Sequence, residues 1–84
     1  MYNYQEMKTQ VFEEKNQVDF LKVRDTVKSL LEYCGSFKFS EAVREVHGDS
    51  WLMMAYVDRL VELGEIREIT PPNTAGQHRV FIKQ

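Results

Sequence analysis

Apolar residues recur along this chain first at helical spacing and later at the alternating spacing of strands. From Asp19 onward, Phe20, Val23, Val27, Leu30, Leu31 and Cys34 fall on one side of a helix, with Lys22, Asp25, Lys28 and Glu32 on the other. Asp19 is a suitable N-cap and Gly35 a suitable residue just past the C-terminus, so the spacing predicts a helix over 19–34. Phe37, Lys38 and Phe39 suffice only for a short extended link. Ser40 can cap a second helix near 41–47, with Glu41 close to the positive end of its dipole and Ala42, Val43 and Val46 as its apolar side. His47, Gly48, Asp49 and Ser50 interrupt the chain, and a third helix follows near 51–63, stopping at Gly64. Met53, Val57 and Leu60 form its expected buried side, leaving Ser50, Trp51, Leu52, Met54, Ala55 and Asp58 outward.

Beyond Gly64 the pattern changes. Glu65–Thr70 and His78–Lys83 read as strands from their β-branched and aromatic residues Ile66, Ile69, Val80, Phe81 and Ile82. The loop between them begins with Pro71 and Pro72, just outside the first strand, where a missing N–H breaks no ladder. Val80 and Ile82 point opposite to Phe81, and we expect Val80 and Ile82 inward. Residues 1–17 form a separate N-terminal arm. Tyr4, Met7 and Val11 share a helical face with Phe12 beside them, but Glu13 to Gln17 is wholly polar. The segment is either a partly ordered tail or an extra helix packed on the core or on a second subunit. The expected core comprises Phe20, Val23, Val27, Leu30, Phe39, Val46, Val57, Leu60 and Ile66.

Helix, short link, helix, Gly-containing turn, helix and two-stranded hairpin is an order that resembles the winged-helix superfamily. The stretch from Tyr56 to Ile66, with Leu60, Leu63 and Gly64 before an apolar residue, looks like that family's passage from third helix to wing. The resemblance covers about Val18 to Lys83. It implies a mainly α fold with a small antiparallel hairpin, and a third helix and wing that contact duplex DNA.

Charge complicates that implication. The net charge is −2 over 84 residues. Residues 1–39 balance, whereas Arg44, Arg59, Arg67, Arg79 and Lys83 face Glu41, Glu45, Asp49, Asp58, Glu62, Glu65 and Glu68 in the remainder. A surface for a polyanion usually has the opposite sign. Between Ser50 and Asp58 there is no Arg, Lys, Asn or Gln to pair with base edges. If DNA is bound, the contacts fall to Ser50 and Trp51 at the helix tip and to Arg67, Asn73, His78, Arg79 and Lys83 on the wing. The alternative is a protein-docking module using Trp51, Leu52, Met54, Ala55 and Asp58, since Trp and Met suit interfaces. The first expectation is therefore a dimeric DNA-associated regulator, and the second a protein-docking module that does not read DNA.

Catalysis finds little support. Cys34 is the sole cysteine, expected as a small buried hydrophobe, and His47 and His78 have no carboxylate at a telling distance along the chain. No phosphate-binding loop or paired-cysteine motif occurs. We expect no enzyme, no metal site and no cofactor. The lone cysteine and the lack of an apolar leader or membrane-length run point to a cytoplasmic protein whose partners are duplex DNA, another protein or a second copy, and not a membrane.

Overall fold

The computed structural model describes residues 1–84 as four helices and a small three-stranded antiparallel sheet. Helix α1 spans Tyr4–Val11 and α2 Glu14–Cys34. Strand β1 spans Ser36–Lys38, helix α3 Phe39–Ala42 and helix α4 Ser50–Glu62. Strands β2 (Ile66–Glu68) and β3 (Val80–Lys83) form the hairpin, with one 3₁₀ turn at Gly76–His78 in its loop. The sheet order is β1-β3-β2, so the short link after α2 is a true edge strand paired with the far end of the chain. This order is compatible with a winged-helix arrangement.

The helices form where their apolar spacing predicts, and their ends differ in instructive ways. α2 begins at Glu14 rather than after Asp19, because the polar residues 14–17 are helical with their side chains in water or turned back onto α1. Asn16 Nδ2 donates to the Gln10 carbonyl at 2.7 Å, and Gln17 Nε2 donates to that of Val11, covering carbonyls that α1 leaves free at its end. Gly35 takes the left-handed conformation, φ 79°, that ends α2. The second helix starts earlier and is shorter than 41–47. Phe39 is buried and anchors its first turn, and the Glu41 carboxylate accepts from the Lys38 N–H at 2.8 Å. Beyond Ala42 the chain continues as a turn, with Val43 and Val46 still buried.

All nine expected core residues are buried, joined by Met7, Val11, Phe37, Ala42, Val43, Ala55, Tyr56 and Phe81. The hairpin corrects one expectation. Phe37 and Phe81 are opposite each other across β1 and β3, their rings stacked at 5.3 Å, so Phe81 faces inward. Val80 and Ile82, expected inward, lie on the outer face of the sheet and are half-buried. Cys34, expected in the core, is exposed as the last residue of α2, beside the likewise exposed Tyr33, Gly35 and Ser36. No helix is long and apolar enough to cross a membrane.

Candidate functional site

The face of α4 that the sequence leaves outward is roofed by α1. Ala55 has no exposed surface and lies three and seven residues before Asp58 and Glu62, on the side of α4 that the N-terminal residues bind. Met7 and Val11 supply the buried side of α1. Around this apolar strip runs a polar border. Tyr2 donates to Asp58 Oδ2 at 2.6 Å, Tyr4 donates to Glu62 Oε1 at 2.7 Å, and Lys8 donates to Glu62 Oε2 at 2.6 Å. Arg59 donates to Glu62 at 2.6 Å and stacks its guanidinium 4.7 Å over the Phe12 ring. The hydrogen bonds from Lys8, Tyr4 and Arg59 hold the Glu62 carboxyl down at about 2. Burial, reinforced by the Glu62 hydrogen bond, pushes the Tyr4 hydroxyl up to about 12, so it stays a donor. Burial and Asp58 push Tyr2 higher still.

The wing cations divide between two environments. Arg79 points inward beneath the sheet, donating to Asp58 Oδ1 at 2.7 Å and to both carboxylate oxygens of Glu68 at 2.8 and 2.9 Å. Burial works against its charge, but Glu68 and Asp58 outweigh that and raise its pKa. Glu68 is lowered in turn by the Arg79 hydrogen bonds. The Arg79 side chain keeps 17% exposure and that of Asp58 16%, so neither is free for an outside ligand. Arg67 stands on the other face of the sheet, opposite Ile82, and makes no ion pair. Lys83, His78 and Asn73 are exposed, Asn73 with φ 62° in the wing loop. Arg67 and Arg79, expected to share phosphates, are thus separated by the thickness of the sheet.

At the other end of α4, Asp49 caps the helix by accepting from the Trp51 N–H at 2.8 Å. Ser50 is exposed and Trp51 keeps 42% of its surface. Leu52, Met53 and Met54 are only partly buried and pack against the core. The wing loop lies directly on Met54, since a Cβ at Gly76 would come within 2.7 Å of its Cε. Of the five residues assigned to a docking face, Ala55 is therefore buried, Asp58 is ion-paired, Met54 and Leu52 are half-covered, and Trp51 alone stands open.

The outer face of the sheet was not singled out in the sequence. Val80 sits opposite Lys38, Ile82 sits between Ser36 and Arg67, and Ile69 follows Arg67 beside Val80. Three β-branched residues thus form an open apolar row with a cation at each of two corners, neither in an ion pair. The signal was present only as the ambiguity over Val80 and Ile82. Elsewhere, a groove of about 490 Å³ opens between α2 and the base of the hairpin, over Val27, Leu31 and Ile66 with Lys28, Glu65 and Lys83 at its rim. No group of three or more His, Cys, Asp or Glu is placed to hold a metal ion. No protein-family model, curated protein or solved structure matches the chain.

Proposed function

We propose that the chain is a winged-helix-like protein-docking module that does not read DNA. The carrying observation is the roofing of α4: on the side a groove-reading helix presents, Asp58 and Glu62 accept hydrogen bonds from the molecule's own Tyr2 and Tyr4, and Ala55 has no exposed surface. Duplex affinity grows with the number of phosphates that cations neutralise. Arg79, Arg59 and Lys8 already face carboxylates at 2.6–2.8 Å. The surface left for a partner is the outer sheet face with Ile69, Val80 and Ile82. Its free corners Lys38 and Arg67 favour an apolar partner segment flanked by acidic residues. With no aromatic ring on that face, stacking of single-stranded bases has no platform.

The test is a salt titration of the full chain against non-specific duplex. Arg67 and Lys83 as the main free wing cations predict a logarithmic slope of about −2 at most, and only weak binding. A slope several-fold steeper, with tight binding removed by Arg67→Ala, would restore the DNA-associated reading, for which the exposed Arg67, Lys83, His78 and Asn73 are the available contacts.

A further inference from the structure

Tyr4, Met7, Val11, Glu14, Val18 and Leu21 follow one another at alternating steps of three and four residues, the spacing of one helix-face seam that is apolar except at Glu14. Only the first half of that seam is used. Met7 and Val11 are buried against α4, whereas Val18 is 62% and Leu21 50% exposed on the side of α2 facing away from its core residues Phe20, Val23, Val27 and Leu30. The break that divides the seam is small. Phe12 is already in helical conformation, φ −78° and ψ −12°, and Glu13 has a helical φ of −63°. Only ψ of Glu13, at 137°, departs from a helix. No glycine or proline lies between Tyr4 and Cys34, and the start of α2 has no side-chain cap, so nothing local defends the break except the Asn16 and Gln17 hydrogen bonds to α1.

We infer that two copies of this chain can exchange their α1 helices, each straightening at Glu13 into one helix from Tyr4 to Cys34 and seating Met7 and Val11 on the other copy's α4. In the straightened helix Met7 and Val11 line up with Val18, on the side opposite Phe20 and Val23, so they point away from their own α4 and can bury only against another molecule. Every α1–α4 contact is regained in the exchanged pair, including Tyr4 and Lys8 on Glu62. The continuous helix adds backbone hydrogen bonds across residues 12–17, and the exposed Val18 and Leu21 gain a surface to pack against along the paired helices. The cost is the association entropy and the two side-chain caps, which makes the exchange dependent on concentration. Self-association by this route is independent of what the outer sheet face binds.

Glu14→Pro separates the two forms. Glu14 is the first residue of α2, where proline is favoured, and the extended Glu13 before it has the conformation that proline requires. The same proline would sit inside the straightened helix and oppose it by about 3 kcal/mol in each copy, roughly a hundredfold per helix. Sedimentation velocity on the full chain should show a monomer–dimer equilibrium for the unmodified protein, a monomer for Glu14→Pro with its thermal midpoint kept, and more dimer for Glu13→Ala. Tyr4→Cys with Glu62→Cys in a Cys34→Ser background, joined by a short bis-maleimide, should give covalent dimers from the dimeric fraction. A monomer at every concentration, equal dimerisation of Glu14→Pro, no rise with Glu13→Ala, or only intrachain cross-links from the dimer would each overturn the exchange.

Discussion

Leu60 has no exposed surface and lies where α4 turns toward the hairpin, with Glu65 N–H donating to its carbonyl at 3.1 Å. Leu60→Ala should leave a cavity in a small core and cost about 2–5 kcal/mol in denaturant unfolding. An unchanged midpoint would contradict the packing described for α4. Glu62 governs a different property. Its carboxyl is held at about 2 against an ordinary 4.5 by Lys8 first, then Tyr4 and Arg59. A depressed folded-state pKa means the contribution is complete above about pH 4.5 and is lost as pH falls toward about 2. Over that window α1 should loosen from α4, read as faster amide exchange at residues 7–11. Glu62→Gln should loosen α1 already at neutral pH and flatten its response to acid. Identical acid profiles for the two proteins would mean that Glu62 does not hold the arm.

Helix α1 is held by one apolar strip on α4, two side-chain caps from α2, and the border hydrogen bonds. Burying a methionine side chain contributes about 1.5–3 kcal/mol, so Met7→Asp should undock α1 while α2, α4 and the sheet stay folded. Hydrogen exchange would show protection lost over 4–11 and kept at Val57 and Leu60; simultaneous loss at both would make α1 an integral part of the core. The sequence made α2 and α4 legible because their apolar stripes run for several turns. It also placed Tyr4, Met7 and Val11 on one face, but a short amphipathic stretch does not say what it packs on. Ala55 looked outward for the same reason, since a small residue becomes buried only when a neighbouring helix is laid over it. In β3, Val80, Phe81 and Ile82 are all apolar, so periodicity could not choose a face. The choice is made by Phe37, more than forty residues away, whose ring stacks on Phe81. Polar runs misled similarly at the start of α2, where Glu14 to Gln17 are helical while contributing little to the core.

At the scale of the whole molecule, one polar chain ties the N-terminus, α4 and the wing together. Tyr2 donates to Asp58, Asp58 accepts from Arg79, and Arg79 reaches Glu68 on β2. The side chains of Arg79 and Asp58 are mostly shielded from water, which distinguishes this pair from surface ion pairs of little worth. Removing one member leaves the other charge under-solvated and unpaired, so Arg79→Ala should destabilise the fold by roughly 2–4 kcal/mol. An arginine reserved for phosphate would behave differently, since its loss leaves stability within about 0.5 kcal/mol and weakens only ligand binding. Asp58→Ala should cost a similar amount, and the double variant should lose clearly less than the two single losses added together, because the residues share one interaction. Additive losses in that cycle would show that Arg79 and Asp58 act separately, and would return Arg79 to the set of wing cations available to an outside partner.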